Sequence, residues 1–186
     1  MTVGWLLRNG RGTHPEVPVL DTIGGIPLHP LLVHAVVVLV PLAALLVLGS
    51  ALSTRFRAWA GILTPIAATL ALLSVPLATQ SGESLQRRVD QTALVEAHAE
   101  MGEGLLVFVA ALAVAAWALW FLDRRARASG DTGRSGLTLV VVVVAVLAVA
   151  GTVVQTVRIG HSGAKATWSE TGQVTPKGGE GEGDGD

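Results

Sequence analysis

Cysteine and tyrosine are both absent from the 186 residues of this chain, and only 15% of the residues are charged. Without cysteine, this chain can form no disulfide, no c-type haem attachment and no thiolate-bound iron–sulfur cluster. The basic residues are too few for a nucleic-acid-binding surface, and no nucleic acid is expected as a partner. Hydrophobic residues make up 51% of the chain. Such a composition is too apolar for an ordinary soluble domain and predicts an integral membrane protein.

The apolar residues form four blocks, each close to the roughly 20 residues that a membrane-spanning helix needs. No Lys, Arg, Asp or Glu falls inside any block. The blocks are Pro30–Leu52, Trp59–Thr79, Gly104–Leu122 and Leu137–Val157. Because the third helix is expected to start upstream of its block, the predicted helices cover about 30–52, 59–79, 93–122 and 137–158. The fold class is therefore predicted to be all-α, a bundle of four transmembrane helices.

The polar residues divide the chain into three parts. A flexible segment is predicted for residues 1–25, the transmembrane domain for residues 26–168, and a disordered acidic tail for residues 169–186. Within the domain, the sequence Ser-Gly-Glu-Ser at 81–84 predicts a turn, after which Ser84 would cap a further helix. No internal repeat is evident from the residues.

Arginine is concentrated in two short loops of the predicted bundle. Arg55 and Arg57 follow the first helix, and Arg124, Arg125 and Arg127 follow the third. The positive-inside rule places such loops in the cytoplasm. Both termini are then extracytoplasmic, in a multi-pass protein of a plasma membrane whose first partner is the lipid bilayer.

Four of the five histidines are predicted to meet at the extracytoplasmic end of the bundle. His29 and His34 open the first helix, His98 precedes the third apolar block, and His161 follows the fourth. Histidine at the membrane is costly unless it is paired, and by default it marks a functional site. The convergence of residues from three helices therefore predicts a polar site.

The helical wheel distinguishes among these histidines. At about 100° per residue, Glu96, Glu100 and Glu103 fall on the side of the helix opposite His98, which is expected to point into the bundle. His29 and His34 are separated by about 140°, so both cannot face one ion from a regular helix. His34 is favoured because it lies deeper.

Neutral imidazole is a ligand for haem iron, copper or zinc. We therefore predict His34 and His98 as the ligands of a haem b or of another metal, with His161 and His29 as alternates or as residues that support the ligands. The small residues Gly102 and Gly160 would let a flat macrocycle or a neighbouring helix approach closely. No arrangement of catalytic residues is present, so enzymatic turnover is not supported.

Other interpretations stay open at this point. Gln155 and Arg158 could serve haem propionates or lipid phosphates, or could instead form an interhelical bond and snorkel to the interface. Each histidine could be an interfacial residue bonded to a carbonyl oxygen, and the four together could form a cluster that responds to pH without a cofactor. The protein would then be a membrane scaffold or sensor.

Three short motifs resemble a known family. They are His-Pro-Leu-Leu-Val-His at 29–34, the isolated His98, and Gly-His-Ser-Gly at 160–163. The combination, over about residues 24–168, resembles a bacterial family of four-helix membrane proteins of unknown function. More loosely, the layout is similar to membrane b-type cytochromes. This looser resemblance implies a haem held by two histidines and electron transfer on the outer side, with a redox partner protein or a homo-oligomer as further partners.

Overall fold

The computed structural model describes residues 22–23, 26–87, 89–90, 92–130 and 136–168. The predicted N-terminal segment, apart from residues 22–23, and the predicted acidic tail lie outside the described residues.

Five helices follow a short antiparallel strand pair, β1 (Thr22–Ile23) and β2 (Ile26–Pro27). The helices are α1 (Leu28–Leu52), α2 (Thr54–Ala60), α3 (Leu63–Gln86), α4 (Ala93–Ser129) and α5 (Gly136–Trp168). All except α2 are long and apolar enough to cross a membrane. The prediction of a four-helix transmembrane bundle is confirmed, whereas the side of the membrane on which each end lies stays a prediction.

Local capping explains where the helices begin and end. The Ser53 hydroxyl accepts a hydrogen bond from the Phe56 amide at the start of α2, and the Thr92 hydroxyl accepts one from the Val95 amide at the start of α4. Gly130 ends α4 in a left-handed conformation with φ 68°, which glycine adopts without the strain of a β-carbon. Because no proline interrupts the chain between these two caps, α4 is one continuous helix of 37 residues.

The predicted turn at Ser81–Ser84 is wrong, because these residues form the last turns of α3. The hydroxyl of Ser81 donates to the Ala78 carbonyl oxygen one turn earlier, at 2.9 Å. A serine that bonds back to its own helix is compatible with helical backbone and leaves the helix uninterrupted. The next helix accordingly starts at the Thr92 cap rather than at Ser84.

The four long helices form a ring in which α1 packs against α3, α3 against α4, α4 against α5 and α5 against α1. Helices α1 and α4 also contact each other across the centre. The interior consists mainly of alanine, valine and leucine, with Ala43, Val47, Val109 and Leu112 fully buried. Small interior side chains allow membrane helices to approach closely.

The outer surface of the bundle is apolar. Only 22–39% of the most hydrophobic window in each of the four helices is buried inside the protein. Large side chains such as Val38 and Leu45 are 63% and 66% exposed. A soluble monomer rarely exposes so much contiguous apolar surface, whereas lipid accommodates it.

The two ends of the bundle differ in chemistry. The arginine end, where α1 and α4 finish, carries Arg55, Arg57, Arg124, Arg125 and Arg127. The histidine end, where α1 and α4 begin and where α3 and α5 finish, carries His29, His34, His98 and His161.

Candidate functional site

His29, the second residue of α1, contacts the last turns of α3. Its Nδ1 atom lies 3.0 Å from the Ala78 carbonyl oxygen and 3.2 Å from Ser81 Oγ. A carbonyl oxygen only accepts hydrogen bonds, so the proton must be on Nδ1. The unprotonated nitrogen of His29 is therefore Nε2.

His98, in the second turn of α4, makes the corresponding contact with α5. Its Nδ1 atom lies 3.0 Å from Ser162 Oγ, and Ser162 Oγ lies 3.0 Å from the Ile159 carbonyl oxygen. When the hydroxyl proton is directed to that carbonyl, the hydroxyl oxygen accepts from Nδ1–H of His98. Nε2 of His98 is the unprotonated nitrogen in this arrangement.

A glycine lies against each ring. A β-carbon built on Gly82 would stand 3.0 Å from Cε1 of His29, and one built on Gly163 would stand 2.9 Å from Cε1 of His98. Real β-carbons essentially never show the 2.9 Å contact, and the 3.0 Å contact is tighter than nine in ten of theirs, so each ring would have to move. We call His29, Ser81 and Gly82 the first cluster, and His98, Ser162 and Gly163 the second cluster.

The two clusters lie at the same end of the bundle. Both imidazoles are half-buried. They belong to α1 and α4, the two helices that touch across the centre of the bundle. The structure thus gives two of the four predicted histidines a contact with a neighbouring helix, His29 with α3 and His98 with α5.

The other two predicted histidines are placed differently. His34 is exposed, and its Nδ1 atom lies 2.6 Å from the Pro30 carbonyl oxygen of its own helix. His161 is exposed on α5, next to Ser162 of the second cluster. Because α1 is regular here, only one of its two histidines can face the neighbouring helix, and that residue is His29.

The residues predicted to support the ligands also take defined positions. Gln155 donates from Nε2 to the Met101 carbonyl oxygen at 2.9 Å, which is the interhelical bond given above as the alternative to a propionate contact. Arg158 is exposed. A β-carbon at Gly102 or Gly160 would meet nothing within 4 Å. Open space is therefore present beside Gly102, one turn of α4 below His98.

The pair offers two ligands and no more. Within residues 22–168, as far as the structure describes them, no group of three or more His, Asp or Glu side chains is arranged to hold a metal ion. Two imidazoles suit a metal whose other positions are filled by a macrocycle, or a metal that needs only two ligands.

The arginine end has a groove of about 250 Å³ lined by six residues: Ala58, Gly61, Trp120, Asp123, Arg124 and Arg127. Its two arginines are already engaged within the protein. Arg127 pairs with Asp123 one turn away, and the Arg124 guanidinium lies 5.5 Å from the centre of the Trp120 ring. The groove has no feature comparable to the paired imidazoles at the other end.

Comparison with known proteins identifies the family to which this chain belongs. The family described as "Predicted membrane protein (DUF2231)" matches residues 25–176. Since the match covers most of the chain and all four long helices, the chain belongs to this family. The resemblance noted from the histidine motifs is thereby confirmed. No curated protein and no solved structure matches the chain.

Proposed function

We propose that this member of the DUF2231 membrane proteins holds a haem b, or another metal ligated by histidine, at its histidine end and transfers electrons through it. The ligands are Nε2 of His29 and Nε2 of His98. Relative to the sequence-based choice, His29 replaces His34, because the ring of His34 is exposed, whereas the rings of His29 and His98 are half-buried.

The observation that carries this proposal is the hydrogen bond that each ring makes through Nδ1. In protein metal sites, a histidine ligand almost always donates its other N–H group to a carbonyl, a carboxylate or water, which orients the ring and sets the tautomer. His29 donates to the Ala78 carbonyl, and His98 donates to the Ser162 hydroxyl. Each ring is therefore held as a ligand would be.

The residues present fit a haem better than a metal bound by protein atoms alone. His29 and His98 would hold a haem through their Nε2 atoms, and two histidines are a sufficient protein ligand set for a haem. The open space beside Gly102 favours a flat group next to His98. The haem would supply one-electron chemistry, and the protein would supply axial ligation, ring orientation and partial exclusion of water.

The location of the site indicates where the electrons would go. The positive-inside rule puts the arginine end in the cytoplasm, and the histidine end then faces the extracytoplasmic side of a bacterial plasma membrane. We therefore place the redox partner on that side, either as a separate protein or as a second copy of this chain.

The experiment is an optical spectrum of the detergent-purified full chain, oxidised and then reduced with dithionite, after expression with adequate haem and metals. We expect haem bands that sharpen and shift on reduction. They should be lost in His29→Ala and in His98→Ala, and retained in the matched controls His34→Ala and His161→Ala. Protein that carries neither haem nor metal would refute the proposal, and bands that survive His29→Ala would refute the ligand assignment.

A membrane scaffold or pH sensor without cofactor is the second candidate. It is favoured by the half-burial of both imidazoles on helices that touch across the centre of the bundle, because a charge gained on protonation would be held partly away from water. The charged groups near the two clusters, Glu83, Glu100 and Lys165, are all exposed to solvent. This function predicts colourless protein whose conformation or oligomeric state changes between about pH 5 and 7. An unchanged state across that range would exclude it.

A further inference from the structure

We infer that the chain is a tandem pair of equivalent repeats, each with two long helices: α1 and α3 in the first, and α4 and α5 in the second. Ser81 and Ser162 are the equivalent residues that position the two histidines. The identity of the ligand of the two Nε2 atoms rests on the proposed function. The equivalence of the repeats does not depend on it.

The two clusters agree in chemistry and in distance. In each, Nδ1 of a histidine near a helix start meets a serine hydroxyl, and that hydroxyl donates to the carbonyl three residues earlier. In each, the residue after the serine is a glycine. A β-carbon on Gly82 would lie 3.0, 3.2 and 3.7 Å from Cε1, Nδ1 and Nε2 of His29. On Gly163 the corresponding distances to His98 are 2.9, 3.2 and 3.6 Å.

The buried faces of α1 and α4 share one register. His98 follows His29 by 69 positions. At the same interval, six buried residues of α1 correspond to six buried residues of α4. The pairs are Val36 and Leu105, Val40 and Val109, Ala43 and Leu112, Ala44 and Ala113, Val47 and Ala116, and Ser50 and Leu119.

The second helices of the two repeats share a register as well. Ser162 follows Ser81 by 81 positions. The same interval relates three buried residues of α3, namely Thr64, Ala68 and Ala71, to three buried residues of α5, namely Ala145, Val149 and Thr152. A matching register in both helices is not expected from two unrelated helix pairs.

The four long helices pack as a pseudo-two-fold symmetry axis along the bundle would require. Such an axis exchanges α1 with α4 and α3 with α5. It requires α1 and α4 to meet at the centre, and it makes the α3–α4 contact equivalent to the α5–α1 contact. All of these contacts are present. Parallel repeats related by an axis along the membrane normal are a known architecture of membrane proteins.

The equivalence has a consequence for the site. Each repeat supplies one imidazole with the same serine contact at Nδ1, so the two repeats would offer a ligand two equivalent nitrogen donors. Ser81 and Ser162 act on the ligand only through the histidines, and they are therefore positioning residues.

The test is nitrogen-15 NMR of histidine-labelled full chain in detergent micelles, without added haem or metal. The other three histidines, His14, His34 and His161, are replaced by glutamine, and each remaining ring is assigned by its own alanine variant. We expect both rings to be protonated at Nδ1 and unprotonated at Nε2. The variant Ser162→Ala should lose this preference at His98. Ser81→Ala should weaken it less at His29, because the Ala78 carbonyl still accepts the proton.

Ser74→Ala is the matched control. The Ser74 hydroxyl donates to the Ala71 carbonyl at 2.7 Å on the same helix as Ser81, and no hydrogen bond to a histidine involves it among the described residues. The conservative variant Ser162→Thr keeps a hydroxyl and should restore the tautomer of His98. An Nε2–H tautomer at either ring in the parent protein overturns the inference, as does a Ser162→Ala spectrum identical to that of Ser74→Ala.

A second pair of variants covers the case in which a serine variant fails to fold. Gly82→Ala should shift the ring resonances of His29, and Gly163→Ala those of His98, whereas Gly160→Ala should shift neither. A response at only one of the two rings would contradict the equivalence. Since none of these measurements needs a ligand, failure to find haem would refute the proposed function and leave the tautomers unaffected.

Discussion

Arg57 folds back onto the end of α1, where its Nε atom donates to the Ser50 carbonyl oxygen at 2.6 Å. Its Nη2 atom donates to the adjacent Ala51 carbonyl at 3.3 Å, and the side chain is only 7% exposed. The last carbonyls of a helix have no partner within the helix, and a cation there also interacts favourably with the helix dipole. We expect Arg57→Met to lower the free energy of unfolding by about 1–3 kcal/mol, because it leaves buried acceptors unsatisfied.

Thermal unfolding in detergent measures this change. Arg55→Met is the control, since Arg55 is exposed on the same short helix. An equal melting temperature for the two variants would contradict the capping role of Arg57.

Replacing Thr152 is expected to stabilise the protein, in contrast to replacing Arg57. Its hydroxyl oxygen is fully buried and has no hydrogen-bond partner among the described residues. A buried hydroxyl without a partner costs about 1–3 kcal/mol on mutational scales. We expect Thr152→Val, which replaces the hydroxyl by a methyl group, to raise the melting temperature.

Thr64 supplies the control for Thr152. It lies in α3, and its hydroxyl is buried and lies 3.1 Å from Ser50 Oγ. Thr64→Val should lower the melting temperature because it leaves the serine hydroxyl without this partner. A stabilising Thr64→Val together with a destabilising Thr152→Val would reverse our assignment.

The interhelical bond of Gln155 should contribute modestly to stability. It joins α5 to the Met101 carbonyl of α4 at 2.9 Å, and hydrogen bonds between membrane helices are worth about 0.6 kcal/mol on average. We expect a small fall in melting temperature for Gln155→Leu and none for Gln80→Leu, since Gln80 is exposed. A large loss of haem or metal in Gln155→Leu, with stability retained, would instead assign this residue to the ligand.

The glycine of the second cluster should matter more for ligand binding than for folding. A methyl group at Gly163 would lie 2.9 Å from Cε1 of His98. Because the atom it meets belongs to a side chain that can rotate, the fold can adapt by moving the ring. We expect Gly163→Ala to keep the melting temperature within a few degrees but to lose most of the bound haem or metal, measured as the ratio of haem absorbance or metal content to protein. An unchanged ratio of haem or metal to protein in Gly163→Ala would show that the position of the His98 ring is not critical for ligand binding.

The number and approximate positions of the transmembrane helices could be predicted because lipid imposes length and apolarity on each helix separately. The partners of the histidines could not, because they depend on how each helix is rotated about its axis. Ser81 illustrates this difficulty: the sequence Ser-Gly-Glu-Ser is typical of a turn, and only its contact with His29 identifies it as part of the site. His34 was favoured for its depth, but its ring bonds to its own helix.

The internal repeat escaped sequence analysis for a related reason. Residues that face lipid or the bundle core can be exchanged among Ala, Val, Leu and Ile at small cost, so equivalent helices keep their pattern of burial and lose their identities. The polar residues at the site have no such freedom. The recurrence of serine followed by glycine near the ends of α3 and α5 was the one signal in the residues that could have revealed the repeat.

The length of α4 determines how the site can be reached. At about 1.5 Å per residue, its 37 residues extend roughly 55 Å, well beyond the roughly 30 Å hydrocarbon layer. His98 precedes the apolar block by six residues, which places it about 9 Å beyond the block along the helix axis. The imidazoles of His29 and His98 thus lie near the edge of the bilayer rather than at its centre. In right-side-out vesicles, a haem held there as proposed would be reduced from one face alone by a reductant that cannot cross lipid, so the sidedness of the protein can be determined without labelling either terminus.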